Sequence, residues 1–222
     1  GQPFSAIHIT ASFERFAAGP AADKARVDVE ELLEHLIAGP DGRRYPSRGT
    51  MRIDLNDLDE LLRDRARFKD TVVHEIGHIL GLGTLFGPAG LTRECGAGRS
   101  QYVGALGCRG YGELLGENGG ANVPLQSECS GTTMAFHWDE TALPLDIMST
   151  HLDQPGVGDA SDASALGGIN VISPVSAGAL ADLGYVVKLS RAMRIPAARL
   201  TEPDKAAVAC TDRPSSESPQ DS

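Results

Sequence analysis

Five consecutive residues, His74-Glu75-Ile76-Gly77-His78, carry the side chains best suited to chemistry in this 222-residue chain. If the segment is helical, the two imidazoles lie one turn apart on one face, where both can reach a single metal ion. Zinc held in this way activates a water molecule, and Glu75 is placed to take the proton of that water. The spacing therefore indicates a Zn²⁺ site with a general base beside it.

The neighbouring residues predict the helix that this pattern requires. At about 100° per residue, five apolar side chains share the face opposite the imidazoles: Val72, Val73, Ile76, Ile79 and Leu80. We therefore expect a helix over residues 68–81, anchored by its apolar face, with the histidines facing a cleft. Gly81 can end this helix in a left-handed conformation, so that the chain turns back beneath the metal.

A catalytic zinc ion needs a third protein ligand, and four other histidines can supply it. His35 falls in a predicted amphipathic helix and His8 in a predicted strand, so neither is favoured. His137 is favoured because it follows a glycine-rich stretch and precedes Met148, which could form an apolar floor under the imidazoles. His151 remains an alternative ligand, and Met148 alone is equally consistent with ordinary core packing.

Hydrophobic periodicity and cap signals predict the elements that must position these residues. Besides the helix of the histidines, we expect strands over 4–10 and 50–55, and helices over 23–38, directly after Asn56 or Asp57, and from Ser173 to Gly184. Between residues 82 and 135 we expect only turns and short pieces, because many of the 26 glycines lie there. Residues 211–222 are expected to form a disordered tail.

Charge and hydropathy exclude two classes of partner. The net charge of −10 disfavours binding to nucleic acid or to an anionic membrane surface. No stretch approaches the roughly 18 apolar residues of a membrane span.

The four cysteines, Cys95, Cys108, Cys129 and Cys210, favour two disulfides in an oxidising compartment over free buried thiols. Of the three possible connectivities, Cys95 with Cys108 and Cys129 with Cys210 is preferred.

Several segments, taken in this order, resemble the leishmanolysin-like metzincins, and their bacterial-type members in particular. They are HEIGHILGLGTLF, the distant His137-Trp138-Asp139-Glu140, the methionine segment LDIMST and the later ISPVSAGALADLGYVV. The resemblance covers roughly residues 45–187. It implies a secreted zinc-dependent endopeptidase that acts on peptide or protein substrates. It also implies that His74, His78 and His137 are the ligands, Glu75 the general base and Met148 the turn methionine.

The resemblance also implies a fold of the α+β class. We expect one metzincin-like catalytic domain over residues 1–210, acting as a monomer. Its N-terminal lobe, about 1–82, would hold a twisted sheet with helices that include the zinc-binding helix. Its C-terminal lobe, about 83–210, would be mostly irregular with one helix.

The sequence departs from the family pattern at two positions of the methionine turn. Asp146 stands where the family usually has glutamate, and Thr150 stands where some metzincins have tyrosine, so no tyrosine is assigned to transition-state stabilisation. Asp146, Asp139 and Glu140 could orient ligand imidazoles or could simply be solvated. Trp138 is expected to pack beside the site.

Two other functions stay open at this point. The chain could be a zinc-stabilised binding or adhesion module without turnover, although the glutamate of HExxH argues against a purely structural site. It could also be a maturation hydrolase with one narrow substrate.

Overall fold

The structure, a computed structural model, describes residues 6–16, 24–95, 99–126, 136–150, 152 and 170–195. These residues form small sheets and several helices, in agreement with the expected α+β class. The strands are β1 His8–Glu14, β2 Ala25–Val27, β3 Leu36–Ala38, β4 Arg44–Pro46, β5 Arg48–Asp54, β6 Thr92–Glu94, β7 Ser100–Tyr102 and β8 Val123–Pro124. The helices are α1 Val29–Glu34, α2 Leu58–Arg63, α3 Arg65–Ile79, α4 Ala105–Leu115, α5 Pro174–Asp182 and a 3₁₀ turn, Leu189–Arg191.

The N-terminal sheet has the strand order β1-β5-β2, with β5 at its centre. Strand β5 is parallel to β1 and antiparallel to β2. Met51 and Ile53 of β5 are buried on alternate positions, which gives the period of two expected of a half-buried strand. The strand predicted at 50–55 is thus confirmed, whereas the strand predicted at 4–10 begins later, at His8, and continues to Glu14.

The helix predicted over 23–38 is wrong at both ends. Only α1 is helical, and the Asp28 side chain caps it by accepting a hydrogen bond from the Glu31 amide at 3.0 Å. The residues before the cap pair with β5, and the residues after α1 pair with β4 as a hairpin. Strand pairing therefore determines the conformation of both flanks, although their apolar spacing is compatible with a helix.

Helices α2 and α3 lead from the sheet to the histidines. Helix α2 lies where it was predicted, and α3 begins three residues before its predicted start because Asp64 caps it, accepting from the Arg67 amide at 3.0 Å. The apolar face of α3 packs as expected. Ile79 is fully buried with Leu32 and Met51 in a cluster between α1, α3 and β5.

The stretch between residues 82 and 135 contains more structure than predicted. It includes helix α4 and a small sheet of order β6-β7-β8. Gly110 of α4 allows close packing on α5, since a Cβ built on it would overlap the main-chain carbonyl of Pro174. The C-terminal half therefore has two α-helices among its described residues, and the expectation of one is wrong.

A second core lies between α4, α5 and the segments that follow α3. Three of its aromatic side chains, Phe86, Tyr102 and Trp138, have ring centroids 4.7 to 5.3 Å apart. Trp138 is fully buried here, as expected.

The predicted disulfide between Cys95 and Cys108 is wrong, because Cys108 is a free, buried thiol. Burial raises its pKa to about 11, which makes it an unreactive packing residue. Cys129, Cys210 and the predicted tail lie outside the described residues. Within the described part of the chain, no helix is long and apolar enough to span a membrane.

Candidate metal centre

Three imidazoles converge at the C-terminal half of α3. The Nε2 atoms of His74 and His78 lie 3.0 Å apart. The Nε2 atom of His137 lies 3.2 Å from that of His74 and 3.1 Å from that of His78. His74 and His78 are buried, and His137 is half-buried. The structure thus brings together the three histidines that the sequence singled out, and they could hold a metal ion.

Main-chain carbonyls fix the orientation of two of these rings. Nδ1 of His74 donates to the Ile147 carbonyl at 2.6 Å, and Nδ1 of His78 donates to the Leu82 carbonyl at 2.9 Å. A carbonyl can only accept, so each Nδ1 carries the ring proton and each Nε2 presents a lone pair. Burial lowers the pKa of His74, and it lowers the pKa of His78 well below the ordinary range, so both rings are neutral.

This arrangement fits a metal ion. Two lone pairs that face each other at 3.0 Å repel, and only a cation or a proton between them turns this repulsion into attraction. Nitrogens bound tetrahedrally to one zinc ion at about 2.0–2.1 Å lie about 3.3–3.4 Å apart. The observed separations of 3.0–3.2 Å approach that value for all three pairs.

The way α3 ends places the Leu82 carbonyl within hydrogen-bond distance of His78. Gly81 has φ +106°, as its position after the helix predicted, and the amides of Leu82 and Gly81 donate to the carbonyls of Gly77 and His78. This Schellman arrangement ends the helix and turns the chain back along it. It leaves the Leu82 carbonyl beside the imidazole of His78.

A second glycine lets the segment of His137 approach. Gly83 has φ +78°, and a Cβ built on it would overlap the main-chain carbonyl of Phe136. The segment is then held in place by hydrogen bonds from the Trp138 amide to the Met148 carbonyl and from the Gln126 amide to the His137 carbonyl, both 3.1 Å.

Met148 lies against the helix of the histidines. Its side chain is 1% exposed, and a Cβ built on Gly77 would overlap its sulfur. Gly77 lies between the two ligands of α3, so Met148 contacts the helix at the level of the imidazoles, as an apolar floor requires. Glu75, between the same two histidines, is also buried, at 4% exposure.

The other candidates lie elsewhere. His8 is exposed on β1, and His35 ends α1 with its Nδ1 2.8 Å from the Glu31 carbonyl. His151 lies outside the described residues. No hydrogen bond joins Asp146 to an imidazole of the described histidines: it is fully buried and accepts from the Met148 amide at 2.8 Å. Asp139 accepts from the amides of the turn that follows it.

The chain matches no protein-family model, no curated protein and no solved structure in three separate comparisons. The site is therefore interpreted from its own geometry. Three of its components were missed from the sequence: the carbonyls of Ile147 and Leu82 and the space that Gly77 leaves for Met148. Gly77 inside the motif and Gly83 after it are visible in the sequence, but main-chain carbonyls have no signal in a sequence.

Proposed function

We propose that this chain is a zinc-dependent endopeptidase with a metzincin-like fold. The observation that carries the proposal is the convergence of three Nε2 atoms within 3.2 Å, two of them on buried neutral rings of fixed tautomer. Three neutral imidazoles are a common ligand set of catalytic zinc, and structural zinc sites more often complete four protein ligands. Among the described residues the cluster has three such ligands.

The residues of the chain divide the chemistry between them. His74, His78 and His137 would hold the ion. When bound, zinc supplies Lewis acidity that activates water as a nucleophile and polarises the carbonyl of the substrate. Glu75 would take the proton of the attacking water on its carboxylate and return it to the leaving amine. Met148 would keep water away from the underside of the histidines.

The role of Glu75 is tested by E75A, with E113A as the control. Glu113 lies on α4, exposed, and pairs with Arg109. We expect E75A to retain one zinc per chain and to lose casein cleavage by about 10²–10⁴-fold, because it removes the proton acceptor and no ligand. E113A should cleave as the wild type does. Cleavage by E75A at the wild-type rate would remove Glu75 from this role.

The third ligand is tested by H137A. Because two imidazoles bind zinc more weakly than three, this variant should lose both the metal, measured by elemental analysis, and the activity. A zinc content that stays at one per chain would show that another residue completes the site. Zinc-loaded wild type that cleaves neither casein nor a degenerate peptide library would instead indicate a binding module.

A further inference from the structure

A buried hydroxyl on α5 connects two segments of the metal centre. Ser176 is fully buried, and its Oγ lies 2.8 Å from Nε1 of Trp138 and 2.6 Å from Oδ1 of Asp146. None of these three side chains hydrogen-bonds to His74, His78 or His137. Trp138 nevertheless lies next to His137 in the chain, and Asp146 lies next to Ile147, whose carbonyl accepts from His74. Ser176 contacts both Trp138 and Asp146.

The direction of these hydrogen bonds is fixed by chemistry. The indole N–H of Trp138 can only donate, so the Ser176 oxygen accepts from it and the hydroxyl proton is directed to Asp146. Asp146 also accepts from the amide of Met148 at 2.8 Å and from the amide of Ser173 at 3.3 Å. The Ser176 hydroxyl and the two amides therefore all donate to the carboxylate of Asp146.

The hydrogen bonds from Trp138 through Ser176 to Asp146 end next to two of the metal ligands. At one end, Trp138 directly follows His137 in sequence. At the other end, Asp146 holds the turn whose next residue, Ile147, accepts the hydrogen bond from His74. Ser176 thus ties the segment of His137 to the carbonyl that orients His74.

A carboxylate in this position is costly for folding. Asp146 is fully buried, and no ion pair to it is found among the described residues. Hydrogen bonds alone offset the loss of water around it, whereas an apolar side chain would need none. This cost indicates that the group fixes a geometry.

We propose that Ser176 is a positioning residue of the metal centre, holding the segment of His137 in register with the turn that orients His74. This inference rests on the proposed metal site. It makes α5, which supplies no ligand, part of the determinants of metal affinity. Because Ser176 acts through Trp138 and Asp146, S176A should weaken binding without removing a ligand.

The experiment measures the zinc Kd by competition with a chromophoric chelator, together with thermal unfolding of the metal-free protein. The variants are S176A and D146N, and the control is Y102F. Tyr102 is also fully buried and contacts Trp138, but its hydroxyl donates to Asp182 at 2.8 Å, away from the turn. All three variants should unfold at a lower temperature than the wild type.

We expect S176A and D146N to bind zinc about 10–100-fold more weakly than the wild type, the range for lost outer-shell partners. Y102F should bind with wild-type affinity. The absorption spectrum of the Co²⁺ form should broaden in S176A and should stay as in the wild type in Y102F.

Equal zinc affinity in S176A, D146N, Y102F and the wild type would overturn the inference and leave Ser176 a merely structural residue. It would leave the metal site itself intact. A wild-type protein that binds no zinc would contradict the proposed function and the inference together, so the two failures are distinguishable.

Discussion

The ligand imidazoles of α3 are oriented by the backbone rather than by carboxylates. The Ile147 and Leu82 carbonyls each accept a hydrogen bond from a ring Nδ1–H, and Asp139, Glu140 and Asp146 do not supply this contact to His74 or His78. A carbonyl is available at every residue, so its use depends only on where the chain passes. This is why the ligands could be predicted from the sequence and their hydrogen-bond partners could not.

Substitution of Gly77, inside the motif, tests whether Met148 packs against the helix below the histidines. G77A should lower the free energy of unfolding by about 1–3 kcal/mol, because the new methyl group overlaps the sulfur of Met148. The control G87A, where no atom lies within 4 Å of a built Cβ, should change it by less than about 0.5 kcal/mol. Urea unfolding of the metal-free variants measures both.

A double-mutant cycle with M148A identifies the contact. In the M148A background the sulfur is gone, so G77A should be much less costly or even favourable, since alanine is the better helix former. An equal cost of G77A in both backgrounds would show that Met148 is not what Gly77 accommodates.

At the scale of elements, the sequence predicted those parts that carry their own signals. Helix α3 has an apolar face, α5 has Ser173 followed by proline, and β5 alternates apolar and polar residues. The Asp64 cap, which starts α3 three residues early, was not predicted. Helix α4 was missed because its three glycines lower helix propensity. The close contacts that require them, such as that of Gly110 with the backbone of α5, exist only in the folded chain.

The cap of α3 gives a prediction for the element that supplies two ligands. D64A should destabilise the protein by about 1 kcal/mol, because the Asp64 side chain accepts from the Arg67 amide. Asp57 occupies the same position before α2 but makes no side-chain cap hydrogen bond. D57A is therefore the matched control, and we expect a smaller loss, measured by urea unfolding. Equal losses would mean that the cap of α3 contributes nothing specific.

At the scale of the whole molecule, the candidate site joins segments distant in sequence. Two ligands come from α3, the third follows 59 residues after His78, and α5 closes the arrangement through Ser176. Hydrophobic periodicity reports only local structure, so it could not show that these segments meet. The position of His137 between the glycine-rich stretch and Met148, together with the resemblance to a family, supplied that expectation, and the structure brings the three histidines together.

Burial of two neutral histidines predicts how the stability of the metal-free protein depends on pH. Burial lowers the pKa of His74 and His78 in the folded state, whereas both titrate near 6.5 when unfolded. Below about pH 6.5 the unfolded chain therefore binds protons that the folded chain excludes, and stability falls as the pH falls. With two such groups, the free energy of unfolding falls by at most about 2.7 kcal/mol for each unit by which the pH falls.

Urea unfolding between pH 7 and pH 5, with chelator present, measures this slope. Stability of the metal-free protein that is constant or rises toward pH 5 would contradict the buried, neutral state of the two rings.

The central claim is that one ion is bound by His74, His78 and His137. Anomalous diffraction at the zinc absorption edge, from crystals of the zinc-loaded protein, tests it most directly. We predict one strong peak about 2.0–2.1 Å from the Nε2 atom of each of the three histidines. A zinc-loaded crystal with no peak there, or with the ring of His137 turned away from the ion, would contradict the account.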